Sequence, residues 1–231
     1  MQPSAAFQSI AVDTAPFQLT GTVYGALLNH HSALAALGST VNKAPYKAPP
    51  RAPVLYLKPR NTLAGTGDEV MIPPGCPELE AAACLGMVIG IAACRIRPAE
   101  AHRYIAGFLI VNDVSVPHES LYRPSVREKA RDGFCPMGPA VAARETIANP
   151  NATVLRTYVD GTLMQTASTA DLIRPVARLL ADVTEFMTLL PGDVLCLGAA
   201  APAPRVRAGQ TVTIEIAGLG SLTNRFVQED A

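Results

Sequence analysis

The chain has 231 residues, of which 49% are hydrophobic, 16% charged and 5% aromatic, with no Trp. Nineteen basic and nineteen acidic residues cancel, so the positive excess that nucleic-acid or anionic-membrane binding draws on is missing. Sparse charge also implies a surface that is largely uncharged or covered by a second subunit.

Five cysteines, at 76, 84, 94, 135 and 196, are odd in number and never form a C-x-x-C pair, which speaks against a disulfide framework or a zinc knuckle and for buried, reduced thiols. Residues 1–20 carry no Lys or Arg and no continuous apolar run, so they do not read as a signal peptide. They read as a flexible N-terminal arm ahead of a single domain over 21–231, and a cytoplasmic location is expected.

The first element expected is a buried strand over 22–28. It delivers Asn29, His30 and His31 to its carboxyl end, before an Ala-rich helix over 32–37 that Gly38 stops. On a strand the two histidines would face opposite sides, so at most one serves a site. Four prolines in 44–53 mark an extended linker or binding loop, and a strand over 54–57 ends at Lys58-Pro59-Arg60-Asn61. Glycines and prolines between 65 and 75 bracket a short strand, and the apolar run 82–93 suits a strand buried on both faces.

Pro98 predicts the first turn of a helix to about Ile105, followed by a strand over 108–111 with Asn112 and Asp113 at its carboxyl end. A long charged loop, 117–136, comes next, with Gly133-Phe134-Cys135-Pro136 fixing its exit. Apolar residues from Val176 to Leu190 recur at helical spacing, Pro191-Gly192-Asp193 turns into a strand over 194–197, and 211–217 with 221–227 form a hairpin. Many short strands with three helices predict an α+β, β-rich fold.

Charged groups collect where strands end, the usual place for a site on a rigid scaffold. The Arg and Lys of loop 117–136 suit an anionic substrate with several carboxylates, since guanidinium binds carboxylate in bidentate fashion; the alternative is a solvated loop with surface ion pairs. Asp113 reads equally as a ligand for a hard cation and as a structural cap.

At these residues the sequence resembles the fumarylacetoacetate hydrolase family. The motifs that carry the resemblance are Leu28-Asn29-His30, Tyr46-Lys47-Ala48-Pro49-Pro50, Lys58-Pro59-Arg60-Asn61-Thr62, Asn112-Asp113-Val114-Ser115, Tyr122-Arg123-Pro124, Arg131-Asp132-Gly133-Phe134-Cys135-Pro136, Thr169-Ala170-Asp171-Leu172 and Pro191-Gly192-Asp193. Within the family the likeness is strongest to the N-terminal half of the isomerase/decarboxylases of 4-hydroxyphenylacetate (homoprotocatechuate) catabolism. The resemblance implies a mixed β-sandwich or roll with peripheral helices, acting on 2-oxo di- or tricarboxylates with Mg²⁺ or Mn²⁺ held by two glutamates and an aspartate. Asp113 matches the aspartate, while Ala82 and Cys84 stand where the glutamates belong and Ala33 where the family tends to place a histidine.

The activity expected from the resemblance is decarboxylation of 5-oxopent-3-ene-1,2,5-tricarboxylate to 2-hydroxyhepta-2,4-diene-1,7-dioate, with isomerisation on this chain or its partner. Lys129 would stabilise the enolate, and Asp132 or His30 would handle a proton. Lys58, Arg60, Ser115, Arg123, Arg127 and Arg131 would bind substrate. The alternatives are a non-catalytic partner of a metal-competent homologous C-terminal subunit and an acylpyruvate-type hydrolase. The expected assembly is a homodimer, or a heterodimer with such a homologue.

Overall fold

In a computed structural model, residues 22–229 are described, so the arm expected over 1–20 lies outside the described residues. In chain order the elements are β1 (Val23–Leu27), α1 (His31–Ala36), β2 (Val54–Lys58), β3 (Leu63–Ala64), β4 (Glu69–Ile72), β5 (Leu79–Ile89), β6 (Ile105–Ser115), α2 (Val126–Lys129), β7 (Cys135–Ala143), β8 (Val154–Val159), β9 (Thr162–Ser168), α3 (Val176–Thr184), β10 (Val194–Cys196), β11 (Arg205–Val206), β12 (Thr211–Ile216) and β13 (Gly220–Gln228). One mixed sheet runs β2-β1-β10-β5-β6-β7-β3, with β11 also on β5, and a second runs β4-β13-β12-β8-β9. The fold is α+β and β-rich, as the sequence predicts.

The long antiparallel pair β5·β6 forms the middle of the larger sheet and explains where the site lies. Successive side chains on a strand alternate faces, and directly paired residues share one. Leu79, Ala81, Ala83, Leu85, Met87 and Ile89 of β5 enter the large apolar cluster, together with Ile214, Leu222 and Phe226 of the second sheet. The intervening Cys84 and Val88 join a smaller cluster with Leu109, Val111, Cys135 and Cys196. Glu80, Ala82 and Cys84 pair with Ser115, Asp113 and Val111 in that order, so all six share the face turned away from the second sheet.

Several predicted elements change. The strand expected to end at Val111 runs on to Ser115, because Asn112, Asp113 and Ser115 are buried in the ladder opposite Ala83, Ala82 and Glu80. The strand placed over 82–93 begins at Leu79 and stops at Ile89, leaving Gly90 outside. The turn after Pro98 is a short 3₁₀ helix over Pro98–Arg103. The last helix ends at Thr184 although apolar spacing continues, because the Thr184 carbonyl and hydroxyl accept the amides of Arg95 and Ile96; Phe186 and Leu190 are left exposed. Strands β7, β8 and β9 had no counterpart in the sequence reading, and α2 interrupts the long loop.

Candidate active site

Asp113 is the centre of the site. It is buried in β6 beside three donors: the Tyr56 hydroxyl at 2.6 Å and Lys129 Nζ at 2.7 Å on Oδ2, and Lys58 Nζ at 2.9 Å from Oδ1. Burial alone would raise its pKa, but the two ammonium groups, with the hydrogen bonds from Lys129 and Tyr56, hold it well below the usual carboxylate range. Burial, and then the same carboxylate, push the Tyr56 phenol well above its ordinary value, so it remains a donor.

Tyr56 reaches Asp113 because Gly25 pairs with it across β1·β2: a Cβ at position 25 would collide with the Tyr56 ring. Lys129 Nζ lies 4.7 Å from the centre of that ring, a cation–π contact that steadies its position.

The two lysines have different work. Lys58 is 1% exposed and donates to the carbonyls of Val114 (2.6 Å), Lys129 (2.9 Å) and Phe134 (2.8 Å). Three protons meet three acceptors, so its contact with Asp113 is charge against charge. Burial lowers its pKa and Asp113 opposes this, and only the ammonium form satisfies all three carbonyls. Lys129, on α2, gives one hydrogen bond, to Asp113, and turns toward a cavity of about 300 Å³.

Ala26, Leu28, Ala33, Leu37, Tyr56 and Ala82 line that cavity, with Asp113, Ser115, Glu80, His118, Glu119, Leu121, Lys129 and the run Ala199–Ala203. Ser115 donates to Glu80 Oε2 at 3.2 Å, and the other Glu80 oxygen pairs with Arg205. A covering segment is tied down where Tyr46 accepts the Leu121 amide at 2.8 Å and meets Tyr122 edge-on at 5.9 Å.

The divalent ion implied by the family resemblance does not fit these residues. Ala82 is opposite Asp113 and Cys84 is next on the same face, so neither glutamate position offers a carboxylate, and both Asp113 oxygens already face ammonium groups. No group of three His, Cys, Asp or Glu suited to a metal occurs among the described residues. The nearby Cys135 thiol is pushed up to about 12, chiefly by burial, and is no thiolate at neutral pH.

Other residues singled out in the sequence fall elsewhere. His30 caps α1: its Nδ1 accepts the Ser32 amide at 3.2 Å, and it is not among the cavity-lining residues. Asp132 is exposed and accepts from Asn61 at 2.7 Å. Arg127 and Arg131 line a second cleft of about 440 Å³, with Arg205, Glu78, Glu128 and residues 73–77. Arg60 and Arg123 are exposed and line neither. Asn29 is a strut, donating to the carbonyls of Leu197 (2.7 Å) and Arg174 (3.1 Å) and accepting the Arg174 amide (2.9 Å).

The structure therefore brings Asp113, Ser115 and Lys129 together around the cavity, with Lys58 beneath. Tyr56, Glu80 and His118 join them without having been assigned roles in the sequence. The alternation of β5 and β6 would have placed Glu80 on the face of Asp113; nothing in the local sequence marks Tyr56.

Known proteins resemble the chain in sequence and in fold. The chain is 38% identical over 211 residues to the 4-hydroxyphenylacetate degradation bifunctional isomerase/decarboxylase of Escherichia coli, covering 91% of this chain and 48% of that protein. It thus spans about half the length of that relative. The crystal structure of 5-carboxymethyl-2-hydroxymuconate delta-isomerase from Mycobacterium smegmatis superposes with a TM-score of 0.79 at 29% identity, covering 94% of this chain and 82% of that one. Maleylpyruvate hydrolase from Sphingobium sp. SYK-6, in complex with manganese (II) ion and pyruvate, shares the fold at 24% identity and a TM-score of 0.76, covering 90% and 71% of the two chains. Residues 22–227 match the family described as fumarylacetoacetate (FAA) hydrolase C-terminal, and the chain belongs to that family.

Proposed function

We propose that this chain is a decarboxylase of a 2-oxo acid, converting 5-oxopent-3-ene-1,2,5-tricarboxylate to 2-hydroxyhepta-2,4-diene-1,7-dioate, and that residues 21–231 act as one catalytic domain in the cytoplasm. The observation that carries the reading is Lys129, a buried ammonium tethered to Asp113 at one end of a cavity and bearing one intramolecular hydrogen bond. Breaking the carbon–carbon bond to the departing carboxylate releases carbon dioxide and sends the bond's electron pair through the conjugated double bond onto the 2-oxo oxygen, which then takes a proton from water to give the dienol. A fixed cation in a site of low dielectric stabilises that oxygen more as its charge grows, which lowers the barrier.

Asp113 holds Lys129 in place, the Tyr56 ring and hydroxyl brace both, and Lys58 compensates the carboxylate from beneath, so little reorganisation accompanies the reaction. No step here needs a divalent ion, and turnover followed by ultraviolet absorbance should persist in a chelator. A tight Mg²⁺ or Mn²⁺ site by calorimetry, with activity lost on its removal, would refute the mechanism.

A second reading is favoured by Ala82 and Cys84: a chain without the glutamates acts as a structural partner of a metal-competent homologue. The exposed Leu57, Ile91, Phe186 and Leu190 are consistent with a subunit contact of either kind. Assaying this chain alone and with a homologue, alongside sedimentation, separates the two. Activity in a homodimer supports the enzyme; activity that appears only with the homologue and survives Lys129→Ala and Asp113→Ala supports the partner.

A further inference from the structure

His118 lies in the segment just after β6 and lines the same cavity as Lys129 and Asp113. Its Nδ1 is 2.8 Å from the Val116 carbonyl oxygen. A carbonyl can only accept, so Nδ1 carries the proton of the neutral ring and Nε2 carries a lone pair. Nε2 is buried and has no hydrogen-bond partner among the described residues. A bare basic nitrogen out of contact with water costs stability unless something uses it.

We propose that His118 is the proton carrier for isomerisation of the dienol, with Nε2 taking the enol proton and returning it to the far carbon of the conjugated system. The proposal rests on the function given above. The enol O–H bond breaks as the Nε2–H bond forms. The oxygen lone pair closes the carbonyl, the double bonds shift by one place, and the terminal pair takes the proton back from the imidazolium. One proton leaves oxygen and one arrives at carbon, so no oxidant, reductant or co-reactant enters.

The surroundings suit the role. Lys129 from α2 holds the oxygen as it becomes an enolate. Glu80 from β5, Asp113 from β6 and the adjoining Glu119 line the same cavity, with Asp113 paired to the two lysines, Glu80 to Arg205 and the Tyr56 hydroxyl from β2 committed to Asp113. The fixed Val116 contact prevents the ring from turning its protonated nitrogen to the substrate.

The test is His118→Asn, whose amide N–H can keep the Val116 bond while removing the base. Isomerisation, read as disappearance of the dienol, should fall by about 100-fold or more, with carbon dioxide release from the tricarboxylate reduced less. The acid limb of kcat/KM should vanish, and in His118→Glu a limb should return at lower pH. Imidazole should partly restore His118→Ala. Wild-type isomerisation with its acid limb intact in His118→Asn or His118→Ala would overturn the proposal.

Should the wild-type chain turn over neither compound, the proposed function fails, and nitrogen-15 NMR of the wild-type chain decides the inference separately. An unprotonated Nε2 whose resonance shifts when oxalate, an enolate mimic, is added supports it. A protonated Nε2, or no response to oxalate, refutes it.

Discussion

The cleft lined by Arg127, Arg131 and Arg205 and the cavity floored by Asp113 lie against the same short helix, α2, and treat charge in opposite ways. In the first, Arg205 is balanced by Glu78 and Glu80 with much of its side chain in water, where an ion pair contributes about 1 kcal/mol or less. In the second, Asp113 and its two lysines are almost fully excluded from solvent, so the position of each charge is set by its neighbours. Density of charge along the sequence points to the first; burial of charge in space points to the second. Chemistry that depends on a fixed electrostatic field belongs with the second.

The strongest way to break that contrast is Lys58→Met. It leaves three buried carbonyls and half of the Asp113 charge uncompensated, and denaturant unfolding should show a loss of about 3–5 kcal/mol. A loss under about 1 kcal/mol would mean that water or a neighbour replaces it and that the network is less closed than its distances imply. Lys129→Met should separate from this variant: turnover should fall on the order of 100-fold, with a smaller loss of stability, since no carbonyl depends on its Nζ. Equal loss of stability in the two variants would make both lysines structural posts.

Acidification probes a region outside either cleft. Burial lowers the pKa of His30 in the folded chain, with Asp171 pulling the other way. The unfolded chain therefore takes up the proton first. The contribution of the neutral ring to α1 is complete above about 6.5, the unfolded value, and is lost as the pH falls below it. Exchange of the Leu34 amide, which donates to the His30 carbonyl at 3.1 Å, should quicken between pH 7.5 and 5.5 more than exchange in α3. Uniform behaviour of the two helices would remove the cap from this role.

The smallest effect is expected in the arginine cleft. Arg127→Ala with Arg131→Ala should change kcat/KM by no more than about 2-fold, as surface substitutions usually do. A tenfold rise in KM would show that substrate spans both sides of α2.

Much of the scaffold was legible because periodicity survives in sequence. β1, β2 and the β12·β13 hairpin follow from apolar runs and turn residues, and the family motifs single out Asp113 and Lys129, which the structure finds buried and paired. The failures begin where pattern reading equates polar with exposed. Asn112, Asp113 and Ser115 looked like the end of a strand, yet they are ladder residues sealed by neighbouring strands. β7 begins Cys135-Pro136 and contains Gly138-Pro139, residues that signal a loop, and β9 is an exposed edge strand with little alternation to read. The arginines were expected to share a site because they share a loop. α2 turns Arg127 and Lys129 to different clefts, a separation invisible while 117–136 was treated as unstructured.

The contact between Gly25 and the Tyr56 ring also says how this chain tolerates change over generations. The two positions sit side by side in β1·β2, and one methyl group at 25 takes the space that the ring fills. Alanine at 25 is compatible with a small residue at 56, and tyrosine at 56 with glycine at 25. The two positions are therefore coupled, and a substitution of that glycine costs the phenol on Asp113 and the aromatic face behind Lys129 without altering a residue of the charged network.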